Sequence, residues 1–358
     1  MTDSVAKKTS SDQTHEKALD AQTHAVQNIK LARDASPNAE LLYQEIITGH
    51  TAALSRGITL IESTATKHQK DAQALLSACL PHSGQSLRIG ITGVPGVGKS
   101  TLIEQLGLYL IGLGKRVAVL AIDPTSSISQ GSILGDKTRM EQLTQQTEAF
   151  IRPTPSRLSL GGVARHTREA IVLCEAAKFD IIIIETVGVG QSETTVHEMT
   201  DFFLLLQLAG AGDGLQGIKR GIIEMADALV INKADGLNKK AADLARMEYQ
   251  KALTLFPAKS NAWIPQTMTC SALENEGVRD LWTMICAHES STKANGSFNQ
   301  KRRAQNIFWM QETIKSRLQS DFFDHPKIKE ALPQQMDAVS RLEMTPFEAA
   351  EALLALFR

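Results

Sequence analysis

From Asn38 onward the apolar residues fall into two kinds of pattern. Leu41, Leu42, Ile46 and Ile47 are spaced for one helical face, and Leu54, Ile58, Leu60 and Ile61 predict a second helix. A third is expected over Asp71 to Leu80, stopped by Pro81 and Gly84. The pattern then turns into short apolar runs: LRIGIT (87–92), RVAVLAID (116–123), DIIIIET (180–186), DFFLLLQLA (201–209), DALVINK (227–233) and AWIPQTMTCSA (262–272). Runs such as Ile181 to Ile184 read as strands buried on both faces, as in a parallel sheet. Helical stretches lie between most of them, which predicts an α/β fold with a doubly wound, mostly parallel sheet and helical N- and C-terminal extensions.

After about Ser291 the strand-like runs stop. A helix is expected through Ile307, Met310, Ile314 and Leu318. Thr345, Pro346 and Glu348 form a capping box with proline at the first helical position, opening another helix through Leu353 and Leu354. The expected organisation is a polar tail without a packed structure (1–36), an N-terminal helical region (37–85), a strand–helix domain (86–290) and a C-terminal helical region (291–358).

Composition narrows the function classes. A net charge of −1 offers no basic field for a nucleic-acid backbone. Cys79, Cys174, Cys270 and Cys286 lie far apart without CxxC spacing, which suits reduced thiols and gives no metal-site signature. No run approaches a membrane span, and no apolar signal core opens the chain. Asp3, Asp12, Glu16 and Asp20 are acids that a mitochondrial transit peptide tends to avoid. The expected compartment is therefore the cytoplasm.

The first strand is followed by GVPGVGKST, Gly93 to Thr101, which matches G-x-x-x-x-G-K-[ST] between a strand and a helix. Gly93, Val94, Pro95, Gly96, Val97 and Gly98 would wrap backbone N–H groups around phosphate oxygens at a helix N-terminus. Lys99 would reach the β- and γ-phosphates, Ser100 would ligate Mg²⁺, and Thr101 closes the motif. Glu185 ends the isoleucine strand, where a lone buried carboxylate is costly. Either it joins the Mg²⁺ shell, which the nearby phosphate loop favours, or it caps the TVGVGQS turn. Gly188 is placed to give its N–H to the γ-phosphate.

INKADG supplies Asn232, Lys233 and Asp235 after a later strand. In an N-K-x-D motif the aspartate accepts two hydrogen bonds from guanine's ring N–H and amine. Adenine offers no such pair, so the acid would be left desolvated and unpaired. The stem of Lys233 can cover the base, and Ser271, Ala272 and Leu273 suit a backbone contact to the guanine carbonyl. These residues point to GTP and GDP as the bound nucleotides.

Between these motifs run AIDPTSSISQGSILGDKTRM (121–140), ETVGVGQSE (185–193) and AGAGDGLQGIKRGIIEMADALVINKADG (209–236). Together they resemble the MeaB/ArgK family of P-loop GTPases, associated with methylmalonyl-CoA mutase, over roughly residues 40–358. The resemblance implies that Asp123, Asp136 and Glu185 join Ser100 around Mg²⁺. By spacing alone, Asp136 reads equally as a surface ion pair with Lys137 or Arg139. The resemblance also implies mobile switches near 124–140, 187–200 and 210–221, and a homodimer built by the C-terminal helices. The implied client is an adenosylcobalamin-dependent acyl-CoA mutase, whose cofactor loading and protection the GTPase would gate. The sequence departs from the family pattern at Gly214, where relatives carry an acid.

The expected chemistry is Mg²⁺-dependent hydrolysis of GTP to GDP and phosphate, with no general base named. Two alternatives share the phosphate loop. A nickel or cobalt metallochaperone would carry a His-rich tract or a Cys-x-Cys run, and His166 and His197 are isolated. A small-molecule kinase, the role implied where family members are described as arginine/ornithine transport kinases, would use ATP, against the NKAD motif.

Overall fold

The computed structural model describes residues 38–122, 140–154, 160–186, 192–210 and 220–357. Three helices come first: α1 (Ala39–Ile47), α2 (Thr51–Ile61) and α3 (Thr66–Cys79). Asn38 caps α1 by accepting from the Glu40 and Leu41 amides at 3.0 and 3.3 Å. The central part follows as β1 (Leu87–Gly93), α4 (Lys99–Gly112), β2 (Val117–Ile122), α5 (Glu141–Thr144), β3 (Ala149–Thr154), α6 (Leu160–Ala176), β4 (Ile181–Thr186) and α7 (Ser192–His197). It continues through β5 (Phe202–Leu208), α8 (Arg220–Met225), β6 (Ala228–Asn232), α9 (Lys239–Leu253), β7 (Gln266–Thr269) and α10 (Val278–Ala294). Three helices close the chain: α11 (Ser297–Phe323), α12 (Pro326–Ser340) and α13 (Pro346–Phe357). No helix among the described residues is long and apolar enough to cross a membrane.

The seven strands form one sheet in the order β3-β2-β4-β1-β5-β6-β7, every pair parallel. The expected doubly wound architecture is therefore present. The isoleucine run explains itself at this level. Ile181 and Ile183 pack with Leu102, Ile103 and Leu106 of α4. Ile182 and Ile184 pack on the opposite face with the N-terminal helices and α6. Burial of each such side chain contributes about 1.5–3 kcal/mol. Because both faces are covered, the alternation that marks a one-sided strand is erased.

The structure departs from the pattern-based reading in four places. β3 is a strand that the apolar runs did not reveal: AFIRPT contains Arg152 and Pro153, tolerable because the strand lies at a sheet edge. β7 covers only Gln266–Thr269 of the longer 262–272 run. Trp263 lies outside that strand and is anchored by its indole N–H donating to the Asp227 carbonyl at 2.9 Å. α12 has no counterpart among the expected helices. Finally, α11 is far longer than its expected apolar row, and Ile307, Met310, Ile314 and Leu318 of that row are 52–59% exposed. What docks the helix is its other face, where Phe298, Gln305 and Trp309 are buried. α10 runs through position 291 and ends at Ala294. The expected tail, 1–36, lies outside the described residues. The capping box is formed: the Thr345 hydroxyl accepts from the Glu348 amide at 3.2 Å, and Glu348 accepts from the Thr345 amide at 3.0 Å.

The anchor of α11 is electrostatic. Arg302 donates to both Asp201 oxygens, at 2.8 and 2.6 Å, and to the Gly84 and Ser86 carbonyls at 2.5 and 2.6 Å. Burial works against ionisation of Asp201, but Arg302 and Arg88 outweigh it and hold the carboxyl below its ordinary range. Arg88 in turn pairs with Glu175, both side chains almost wholly buried. Gln305 and Trp309 donate to the Thr200 and Glu198 carbonyls, each at 2.8 Å. Arg302→Ala leaves the Asp201 carboxylate buried with two of its three hydrogen bonds removed, that from the Arg88 amide remaining. Its expected cost is about 3 kcal/mol, read as a lower urea midpoint at unchanged slope. A midpoint equal to wild type would mean that the arm is held by packing alone.

Candidate nucleotide site

The carboxyl ends of β4, β1, β5 and β6 open onto the same edge of the sheet, where ligands gather in open α/β folds. β1 ends at Gly93, and α4 starts at Lys99 with no side-chain cap on its first turn. The N–H groups of that turn therefore face the loop, a ready anion site. Two glycines are required by space. A Cβ on Gly93 would stand 2.6 Å from the Leu206 carbonyl oxygen, and one on Gly98, at φ +95°, would stand 2.5 Å from Nδ2 of Asn232. Lys99 is largely buried, with Nζ donating to the Gly93 and Val94 carbonyls at 2.8 and 3.2 Å. Its cation thus sits inside the cradle, where phosphate oxygens would replace carbonyls as acceptors.

Ser100 and Glu185 meet at this mouth. The Ser100 hydroxyl donates to Oε1 of Glu185 at 3.1 Å, across from α4 to the end of β4. Register explains why. Glu185 lies beside Ile91 of β1 on one side and Ala121 of β2 on the other, so its side chain points to the α4 face like Ile181 and Ile183. A hydroxyl and a carboxylate oxygen at hydrogen-bond distance form an oxygen-only donor set that fits Mg²⁺. The carboxylate thus engages α4 across the mouth, and the TVGVGQS turn that it would otherwise cap lies largely outside the described residues. Asp123, Asp136, Gly188 and Gly214 lie outside the described residues.

The base-selecting motif is braced from three directions. Asn232, the last residue of β6 and buried, donates from Nδ2 to the Val97 carbonyl at 2.8 Å and accepts at Oδ1 from the Ala272 amide at 3.1 Å. One carboxamide therefore ties the phosphate loop to the loop after β7. Lys233 takes a left-handed conformation, φ 58°, which turns the chain sharply after the strand. The Lys233 carbonyl accepts from Asn238 at 2.6 Å, which holds the turn closed. Asp235 accepts from the Ser271 hydroxyl at 2.6 Å, fixing one carboxylate oxygen.

Of the expected guanine-loop residues, Ser271 and Ala272 spend their N–H groups inside the protein, on the Glu276 carbonyl and on Asn232. Leu273 is the exposed member at the loop tip. Cys270 packs beneath, its thiol pushed up to about 12 by burial and donating to the Glu276 carbonyl at 3.1 Å. Sequence reading missed this hairpin-like return, in which Ser271 and Glu276 pair backbone to backbone around Asn275 and Gly277 at positive φ. The Asn-Glu-Gly run was the available turn signal.

A glycine-rich anion cradle on a helix N-terminus, a buried lysine within it and a braced N-K-x-D motif define a P-loop guanine-nucleotide-binding protein. Comparison with known proteins makes this particular. Residues 54–327 match the family described as Methylmalonyl Co-A mutase-associated GTPase MeaB. A putative GTPase of Caulobacter vibrioides is 51% identical over 316 residues, covering 88% of this chain and 97% of that protein. The methylmalonic aciduria type A homolog of Mus musculus, described as mitochondrial, is 44% identical over 88% of this chain and 79% of its own. A solved structure described as a LAO/AO transport system kinase superposes with TM-score 0.71 at 36% identity, over 89% of this chain and 97% of that one. The chain belongs to the MeaB family, and its activity is GTP hydrolysis.

Asp235→Asn exchanges an acceptor for a donor at one position of the carboxyl group. The expected result is GTP binding weakened at least about a hundredfold and xanthosine triphosphate binding improved, since xanthine offers a carbonyl where guanine offers an amine. Calorimetry with both nucleotides measures it, and an unchanged preference would reduce the motif to a turn.

Proposed function

We propose that this chain is a Mg²⁺-dependent GTPase that gates cofactor loading and protection of an adenosylcobalamin-dependent acyl-CoA mutase. The family description supports the mutase link, and the Asn232 bridge between cradle and base loop is the observation that carries the nucleotide half. Lys99 and the N–H groups of the loop hold the β- and γ-phosphates, and Asp235 selects guanine. Ser100 and Glu185, with Asp123 and Asp136, hold the metal, which when bound neutralises charge on the phosphate oxygens. Gly188 donates to the γ-phosphate. Positioning and charge neutralisation supply most of the acceleration in this reaction class. The protein then works as a timer, its shape set by which nucleotide it holds. All four cysteines are free, which fits work in the reducing cytoplasm.

A kinase reading is less well supported, because bracing an aspartate for guanine leaves ATP discriminated against. A metallochaperone reading shares the GTP machinery and differs in cargo.

The working unit we propose is a homodimer. The exposed row Ile307, Met310, Ile314 and Leu318 continues into an apolar groove lined by Phe322, Leu332, Met336 and Leu353. A second copy of the same row would cover these side chains.

Three measurements test this. Affinity capture from native cytosol, with a non-hydrolysable GTP analogue bound, is expected to retain a B12-dependent mutase, and transfer of adenosylcobalamin to that mutase is expected to depend on hydrolysis. Capture of a nickel or cobalt enzyme instead would select the metallochaperone. The double change Ile314→Asp with Leu318→Asp is expected to give monomers by light scattering with nucleotide binding retained, and a persistent dimer would place the interface elsewhere.

A further inference from the structure

Asp235, the residue proposed to read guanine, stands in a closed ring of contacts at the base end of the site. Its carboxylate accepts from the Ser271 hydroxyl at 2.6 Å. Ser271 and Glu276 exchange backbone hydrogen bonds, each at 3.0 Å. From Glu276 the ring crosses to α9, where Nζ of Lys239, the first residue of the helix, reaches the two Glu276 carboxylate oxygens at 2.9 and 3.3 Å. The short turn Gly236–Asn238 brings the chain back from Lys239 to Asp235, closed by the Asn238 amide donating to the Asp235 carbonyl at 2.9 Å.

The two limbs of the base loop are held differently. The first is tied to β6: the Cys270 amide donates to the Ile231 carbonyl at 2.9 Å, and the Ala272 amide to Asn232 at 3.1 Å. The second turns through Asn275 and Gly277 at positive φ, and Glu274, Asn275 and Glu276 are exposed along it. Lys239 ties that limb to α9. Glu276, by hydrogen bond and by charge, holds the Lys239 ammonium above the ordinary lysine range, and Asp235 and Glu274 add to the effect. Without that cation, three like charges are left around one loop, and their repulsion favours opening it. Lys239 and Glu276 are each more than half exposed, so their pairing contributes little to the stability of the fold. Its effect falls instead on the position of one limb beside one carboxylate.

We propose that Lys239 and Glu276 form a clasp over the base end of the site, positioning residues that keep Ser271 against Asp235 and set how long a guanine nucleotide stays bound. Opening the clasp frees the second limb and lets the base leave. The phosphate loop, braced through Val97 and Asn232, lies outside the ring. This assignment rests on the guanine-reading role of Asp235.

The test uses the full chain with Lys239→Met, Glu276→Gln, the two combined, and Lys239→Arg. Release of a fluorescent GDP is timed after excess GDP is added, at low and at high potassium chloride. Single-turnover hydrolysis of saturating GTP and melting without nucleotide are measured beside it. Each neutral variant is expected to release GDP about three- to fivefold faster at low salt, the size of one exposed ion pair. The combination is no faster than the faster single change, because both remove the same contact. Lys239→Arg restores slow release. High salt speeds the wild type toward the variants, since it screens the pair. Hydrolysis of bound GTP stays within about twofold, and the melting midpoint within about two degrees, as for a contact outside the core. Unchanged release in the neutral variants, or a combination that multiplies the two single effects, would overturn the clasp. So would a melting midpoint that falls in step with faster release, which would make the pair a fold contact. A wild type that holds ATP as long as GTP would remove the guanine reading and the clasp with it, whereas a guanine preference with unchanged release removes the clasp alone.

Discussion

The nucleotide site depends on the carboxamide of Asn232. Its nitrogen donates to the Val97 carbonyl of the phosphate loop and its oxygen accepts from the Ala272 amide of the base loop. The distance between cradle and base pocket is thereby set before any nucleotide arrives. Such pre-organisation matters because a guanine nucleotide must satisfy phosphate donors and Asp235 at once, and ordering two loops on binding would subtract from affinity. The same nitrogen fills the space that a side chain at position 98 would need. One asparagine thus accounts for a glycine in a different motif.

The sheet has two working ends. At the carboxyl ends, the Ser100 hydroxyl, the Glu185 carboxylate and the Asn232 amide gather beside the phosphate loop. At the amino ends, Asp201, just before β5, receives both the Arg88 amide and the Arg302 guanidinium, and so joins the sheet to α11. β5 is short and buried along nearly its whole length, so its two ends are separated by packed backbone rather than by loop. The arm and the nucleotide site therefore share a rigid element.

Much of this was legible along the chain. The phosphate loop and N-K-x-D are each contiguous in the chain, so spacing alone exposes them. The isoleucine strand was legible because burial on both faces leaves no polar position to interrupt it. β3 was not, because an edge strand is free to carry Arg152 and Pro153, residues that a central strand excludes. The apolar row of α11 was visible but misleading about packing. Its residues face outward, and the helix is held to the sheet by Arg302, Gln305 and the Trp309 indole, whose polar atoms a hydropathy pattern counts against burial.

By itself the sequence determined the alternating layers, the anion cradle, the guanine preference and the family, since each is written in neighbouring residues. Tertiary structure alone decided that Glu185 faces Ser100, that Asn232 is a brace and that Ser271 steadies Asp235. Those facts depend on register between strands far apart in the chain. A shift of one residue would turn every side chain to the other face, and only the packed sheet specifies which register is kept.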